Sequence, residues 1–116
     1  MTHDHEKPRL TSIPRLLNLV VYKVKKGHDE EFRKLLSAHW PTLSRLGLVT
    51  DAPPQIWRGE NVRSETGGTT WIELFTWKDE NGADSAHQTP DVMKIWEPMT
   101  PMLEGMEILY VEPQKL

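Results

Sequence analysis

Residues 69–78, TTWIELFTWK, form the stretch of sequence that decides the fold. They are mostly β-branched and aromatic, and such residues are typical of strands. Large apolar side chains alternate along the stretch and project from both faces of the predicted strand: Trp71, Phe75 and Trp77 on one face, Ile72 and Leu74 on the other. A strand with two apolar faces requires a covering layer on each side.

The neighbouring sequence predicts three further strands and two helical regions around this one. The other strands are residues 16–24 (LLNLVVYKV), 55–62 (QIWRGENV) and 106–111 (MEILYV). Residues 29–46 begin with acidic side chains and continue with apolar residues at helical spacing, so they predict a helix, with a kink or restart at Pro41. Thr-Pro pairs predict short consecutive helices at 81–88, 90–97 and 101–104. The order β-α-β-β-α-β predicts an α+β, ferredoxin-like fold, a four-stranded antiparallel sheet with helices on one face.

The 116 residues suffice for one domain. Residues 1–14 mix charge with two prolines and predict a mobile N-terminal arm, which leaves residues 15–116 as a single ferredoxin-like domain. Helices on one side would leave the second apolar face of the sheet exposed, and exposed patches of that size are typical of interfaces. The sequence therefore predicts a homodimer.

Composition excludes several classes of partner and chemistry. Fourteen Lys and Arg against 17 Asp and Glu give a net charge of −3, which provides no basic surface for nucleic acid. No apolar run approaches the ~20 residues of a membrane span, so no membrane partner is expected. The absence of cysteine rules out disulfides and thiolate metal sites and predicts a cytoplasmic protein. There is no Gly-rich phosphate loop, zinc-spaced motif or Gly-x-Ser-x-Gly elbow.

Glu73 is the first candidate catalytic residue because it lies in the central predicted strand, on the face that carries Trp71 and Phe75. A carboxylate among aromatic rings is desolvated, which suits a general acid or base. The alternatives are a structural ion pair with a cross-strand arginine such as Arg58, or a position at the wet edge of a cavity.

Two histidines are further candidates for proton transfer. His39 lies on the apolar stripe of the first predicted helix, where a hydrogen-bonded core histidine is the alternative. His87 ends a short predicted helix, where it could instead serve as a partner for the helix C-terminus.

Aromatic residues are the candidates for ligand binding. Five tryptophans in so short a chain either fill the core or line an apolar pocket. Tyr22 shares a strand face with Asn18, and both could orient a ligand or could equally face the second copy in the dimer. The predicted ligand-binding residues are Tyr22, Trp40, Trp77 and Trp96.

Three segments in this order resemble the dimeric α/β-barrel superfamily, and within it the antibiotic-biosynthesis-monooxygenase-like group. They are residues 24–32 (VKKGHDEEF), 73–79 (ELFTWKD) and 86–90 (AHQTP). The resemblance covers about residues 16–111. It implies that two sheets pair face to face into an eight-stranded barrel, with a small molecule held between each sheet and its own helices.

The function that this resemblance implies is a small-molecule-binding homodimer. It would be a cofactor-independent monooxygenase or isomerase acting on a flat apolar or phenolic compound. The alternative is a non-catalytic ligand-binding or stress-associated dimeric barrel protein. Some relatives hold haem through a histidine in the region of His87, but Asp84, Asp91 and Glu97 lie close by in sequence and would repel the haem propionates. We therefore expect no cofactor and no metal.

Overall fold

A four-stranded antiparallel sheet with helices on one face makes up the fold. The computed structural model describes residues 13–116, so most of the predicted arm lies outside the described residues. The elements in chain order are β1 (Leu17–Val24), α1 (Asp29–Arg45), β2 (Gln55–Gly59), β3 (Thr69–Thr76), α2 (Gly82–His87), α3 (Pro90–Met99), a 3-10 turn (Thr100–Met102) and β4 (Leu103–Tyr110). The strands are ordered β2-β3-β1-β4 in the sheet. The predicted ferredoxin-like order is confirmed.

The two central strands, β1 and β3, set which side chains face the helices. Asn18 pairs with Phe75, Val20 with Glu73, and Tyr22 with Trp71. All six of these side chains are buried beneath the helices. The strict alternation of buried and partly buried residues in β1 and β3 confirms the two-faced pattern predicted for residues 69–78.

Helix α1 supplies much of the helical layer over this face. Its buried residues recur at helical spacing, namely Phe32, Leu36, His39 and Leu43. The helix does not restart at Pro41, which lies within it. Both Pro41 and Ser37, whose carbonyl the proline leaves unpaired, are exposed, so water can satisfy that carbonyl.

The C-terminal half departs from the predicted boundaries. The predicted helix at 101–104 is wrong, because Leu103 already pairs with Val24 and begins β4. Only the 3-10 turn remains of that helix. Helix α3 continues through Pro98 to Met99, and β2 ends at Gly59, where its pairing with β3 stops at Thr70. None of the helices formed between residues 13 and 116 combines the length and apolar character that a bilayer crossing demands.

The opposite face of the sheet carries none of the helices formed by residues 13–116. Trp57 pairs with Ile72 across β2 and β3, and Leu109 pairs with Leu19 across β4 and β1. Trp57 and Leu109 are 48% and 42% exposed. This outer face, defined by Leu19, Val21, Trp57, Ile72, Leu74 and Leu109, is an apolar surface without a covering layer among the described residues.

Candidate functional site

A cavity of about 580 Å³ lies between the helical layer and strands β1 and β4. Its volume falls within the ~300–1,000 Å³ that small-molecule sites occupy. Much of the wall is apolar, including Val20, Phe75, Met99, Leu103, Met106 and Ile108. Polar atoms come from a few side chains, among them Asn18, Tyr22, His39, Trp77, His87 and Trp96. An apolar wall with a few polar groups is the usual composition of a small-molecule site.

The cavity opens along strand β4. Met106 and Ile108 line it and are 50% and 55% exposed, although they share the helix-facing side of the sheet with Tyr22 and Val20. Their exposure shows that the helical layer leaves this edge strand uncovered. A ligand can therefore reach the buried groups from the side of β4.

A chain of four hydrogen-bonded side chains runs from the cavity wall into the core. The indole Nε1 of Trp96 donates to Nε2 of His39 at 2.8 Å. Nδ1 of His39 lies 2.9 Å from Oε2 and 3.1 Å from Oε1 of Glu73. The hydroxyl of Tyr22 donates to Oε1 of Glu73 at 2.7 Å. Four elements, α3, α1, β3 and β1, thus each contribute one member.

These partners determine the tautomer of His39. An indole N–H can only donate, so Nε2 of His39 must carry a lone pair toward Trp96. The ring proton then resides on Nδ1 and is donated to the carboxylate of Glu73. A histidine held in this way has a carboxylate beside Nδ1 and a lone pair on Nε2 that accepts from Trp96.

Glu73 stands behind His39 rather than in the cavity wall. It is fully buried and does not line the cavity. The pKa of Tyr22 is raised well above its ordinary value, first by burial and then by the negative charge of Glu73 and the hydrogen bond to it. Tyr22 therefore remains a neutral donor to this carboxylate.

The alternative interpretation, in which Glu73 pairs with Arg58, is wrong. Arg58 lies opposite Trp71 and donates instead to Asp29 at 2.7 Å. Asp29, at the start of α1, also accepts hydrogen bonds from Thr69 and from the indole of Trp71. Arg58 thus links β2, at the edge of the sheet, to the start of α1.

His87 lies at the cavity wall near Trp96. Its Nδ1 is 2.9 Å from the carbonyl oxygen of Ala83, one turn earlier in α2, so Nδ1 donates there. Its ring packs edge to face on Trp96, with centroids 4.8 Å apart. The carbonyl contact lies within α2, and the same side chain also lines the cavity.

The structure brings most of the predicted ligand-binding residues together. Tyr22, Trp77 and Trp96 line the cavity, whereas Trp40 does not. Trp40 follows His39 on α1 and so projects from a different side of the helix. The sequence analysis missed the contributions of Met106, Ile108 and Tyr110, although their spacing of two marks one face of the last strand. Within residues 13–116, no three His, Asp or Glu side chains converge as a metal-binding group.

Comparison with solved structures gives three informative matches at probability 1.00. A proposed antibiotic biosynthesis monooxygenase from Bacteroides thetaiotaomicron is 21% identical, with a TM-score of 0.61 over 84% of this chain and 88% of that one. A second, from Nitrosomonas europaea, is 12% identical, with a TM-score of 0.63 over 86% and 91%. The chain has the fold of the antibiotic biosynthesis monooxygenase-like proteins.

The third match is described as an enzyme of a specific type. SnoaB from Streptomyces nogalater, a cofactor-independent oxygenase solved as a point mutant, is 13% identical, with a TM-score of 0.58 over 88% of this chain and 97% of that one. No protein-family model matches the chain, and no curated protein is significantly similar to it in sequence. At these identities the likeness establishes the fold, and the function must be argued from the site.

Proposed function

We propose that this protein is a cofactor-independent oxygenase that acts on a flat, apolar aromatic compound bound in the cavity. The observation that carries the proposal is the buried Glu73–His39 pair, which holds Nε2 of His39 as a base at the wall of an apolar cavity. The shared fold with SnoaB supports the same class of chemistry.

Proton abstraction is the step that the residues themselves can perform. Nε2 of His39 takes a proton from an acidic O–H or C–H of the substrate. The positive charge that forms on the ring is stabilised by the carboxylate of Glu73, to which Nδ1–H is hydrogen-bonded. Trp96 must release Nε2 first, because its indole N–H occupies that lone pair. Entry of the substrate beside Trp96 would exchange one hydrogen bond for another.

The remaining steps need only dioxygen as a second substrate. For a substrate with a methylene group, R₂CH₂, the carbanion transfers one electron to O₂, and the two radicals combine. The resulting peroxide regains the proton from His39 as R₂CH–OOH. Loss of the remaining C–H proton with cleavage of the O–O bond gives R₂C=O and water. The overall reaction converts R₂CH₂ and O₂ into R₂C=O and H₂O.

Oxygen uptake with anthrone tests this proposal. Anthrone is flat, tricyclic and has an acidic methylene group, and its oxidation to anthraquinone consumes one O₂. We expect uptake by the wild type to exceed the protein-free rate, and His39→Gln to reduce the catalysed rate by about 10²-fold or more. The glutamine can still donate and accept hydrogen bonds but cannot act as a base.

The matched control is His28→Gln, which replaces a histidine that does not line the cavity. It should retain the wild-type rate. Equal rates for His39→Gln and the wild type would refute the role of His39, and uptake no faster than without protein would refute oxygenase activity on this probe.

A second candidate function is supported by one observation. In the free protein Nε2 of His39 is already satisfied by Trp96, as in a purely structural hydrogen-bond network. A non-catalytic ligand-binding protein would keep this contact when its ligand binds. Saturable binding of anthraquinone without oxygen uptake from anthrone would favour that function.

We also propose that the protein acts as a homodimer. The outer face presents adjacent apolar residues on all four strands without a covering layer among the described residues. A second copy packed on this face would bury it and would pair two sheets into a barrel.

A further inference from the structure

The methionine side chains around the cavity differ widely in exposure. Met93, Met99 and Met106 line the cavity, and Met102 lies in the 3-10 turn that precedes β4. Met106 is 50% exposed, whereas Met99 and Met102 are 3% and 9% exposed. Met93 is partly buried. Among residues 13–116, Met106 is therefore the methionine that solvent and dissolved oxidants reach most readily.

The sheet places Met106 at the mouth of the cavity. Met106 pairs with Tyr22 of β1, so its side chain lies on the helix-facing side of the sheet, and Ile108 follows on the same side. Strand β4 lies at the edge of the sheet, with β1 on one side and no strand of residues 13–116 on the other. A second copy packed on the outer face would lie on the opposite side of the sheet, so the proposed dimer contact does not cover Met106.

A thioether in this position can be oxidised by a peroxide. The sulfur takes one oxygen atom as the O–O bond breaks, so that RSCH₃ and H₂O₂ give RS(O)CH₃ and H₂O. The sulfur loses two electrons, and the peroxide gains them. The proposed reaction forms an oxidant of the same class in this cavity, because R₂CH–OOH can transfer one oxygen atom and leave as R₂CH–OH.

Oxidation changes the polarity of the cavity mouth. A methionine sulfoxide is polar, whereas much of the cavity wall is apolar, including Leu103 and Ile108. An apolar ligand seated against the sulfoxide must displace its water, and burying a polar group without a hydrogen-bond partner is unfavourable. We propose that Met106 is the site at which peroxide modifies this protein, and that its sulfoxide lowers the affinity of the cavity for apolar ligands. The effect on binding rests on the proposed function, whereas the site of oxidation does not.

Peptide mapping by mass spectrometry, after treatment of the full chain with dilute hydrogen peroxide, locates the modified residue. We expect Met106 to gain one oxygen atom first. Met99 and Met102 should react at least about tenfold more slowly, because susceptibility to oxidation follows exposure. Met1 lies outside the described residues and is followed on its own peptide. Oxidation of Met99 or Met102 as fast as that of Met106 would overturn the assignment.

Turnover with anthrone identifies the source of the oxidant. Catalase removes hydrogen peroxide from the solvent but does not reach a hydroperoxide held in the cavity. Oxidation of Met106 during turnover in the presence of catalase would show that the hydroperoxide of the proposed reaction modifies it. Oxidation by added hydrogen peroxide alone would assign the oxidant to the solvent and leave the modified site the same.

Quenching of tryptophan fluorescence by anthraquinone measures the effect on binding. We expect peroxide treatment to weaken binding by the wild type about tenfold, the equivalent of burying one polar group. Met106→Leu keeps an apolar side chain of similar size but has no sulfur, so its affinity should be the same before and after treatment. Met93→Leu is the matched control, because it removes a partly buried methionine of the same cavity, and it should still lose affinity on treatment.

Reduction of the sulfoxide by a pair of methionine sulfoxide reductases, one for each epimer, should restore the affinity of the treated wild type. Unchanged affinity after oxidation of Met106, or an equal loss of affinity in Met106→Leu, would overturn the effect on binding. No binding of anthraquinone by the untreated protein would refute the ligand class of the proposed function, and the order of methionine oxidation would still test the modified site.

Discussion

Tyr22→Phe removes one hydroxyl from the buried chain and tests whether that chain contributes to folding. The hydroxyl donates to Oε1 of Glu73 at 2.7 Å, and Glu73 is fully buried with His39 as its other donor. A hydrogen bond to a charged group contributes about 1.5–3 kcal/mol. We expect the free energy of unfolding to fall by about 2 kcal/mol, equivalent to a decrease of about 8 °C in Tm for a chain of this size.

The same variant should change the response to alkaline pH. The pKa of Tyr22 in the folded protein is raised by burial and by the nearby charge of Glu73. The stabilisation linked to this group is present below the unfolded pKa of about 10 and is lost as pH rises above it, since only the unfolded chain then releases the proton. The wild type should lose about 1.4 kcal/mol per pH unit there through Tyr22, and Tyr22→Phe should lack this component.

Urea unfolding at a fixed protein concentration, followed by tryptophan fluorescence at pH 7 and at alkaline pH above the unfolded tyrosine pKa of about 10, measures both effects. Tyr110→Phe is the matched control, because the hydroxyl of Tyr110 makes no hydrogen bond within the described part of the chain. It should change stability by less than about 0.5 kcal/mol. A Tyr22→Phe loss as small as that of Tyr110→Phe, or an unchanged alkaline slope, would refute the reasoning.

Three further substitutions test other parts of the molecule. Burial raises the pKa of Asp29, but hydrogen bonds from Thr69, Trp71 and Arg58 outweigh it, so the pKa is lowered and the folded state gains stability above about pH 4 that is lost on further acidification. Asp29→Asn should therefore lower stability at pH 7 and weaken the decrease of stability with falling pH in urea unfolding. An unaltered decrease would contradict this. Gly82→Ala should lower the stability measured by thermal circular dichroism by about 1–3 kcal/mol, because the added methyl group meets the ring of Trp77. Gly59→Ala, whose methyl group meets open space, should leave stability unchanged, and equal melting of the two variants would refute the packing argument. Leu19→Lys on the outer face should reduce the mass measured by light scattering from about twice 13.4 kDa to that of one chain, whereas Glu60→Lys should keep the mass of the wild type. A monomeric wild type would refute the dimer.

Much of the fold could be predicted because its strands carry a local signal. In residues 69–78 the alternation of side chains fixes both faces of β3, and Glu73 falls on the buried face with Trp71 and Phe75. The boundaries near the C-terminus could not be predicted in the same way. Leu103 follows a Thr-Pro pair typical of a helix start, and only its pairing with Val24 draws it into the sheet.

The site could be predicted in its residue types but not in its contacts. His39 and Trp96 are separated by 57 residues and meet only when α1 and α3 pack side by side. The partner of Glu73 could not be predicted for the same reason: the sequence suggested Arg58, but the register places Arg58 opposite Trp71, and the partner is His39. Periodicity assigns a residue to a face, whereas the facing partner depends on how the elements pack.

The cost of burying charge bears on why the hydrogen-bonded side chains of Trp96, His39, Glu73 and Tyr22 lie beside a cavity. A carboxylate is expensive to desolvate, and replacing a buried ionic or polar group by apolar residues of similar volume is often neutral or stabilising. Glu73 and His39 lie in an apolar surrounding of Val20, Phe75 and Leu36, where leucine-sized side chains would pack at lower cost. The hydrogen bonds from Tyr22 and Trp96 offset that cost, and both of these residues and His39 line the cavity. Stability alone gains little from a buried carboxylate in this place, whereas the proposed proton transfer needs one to stabilise the histidine that takes up the proton.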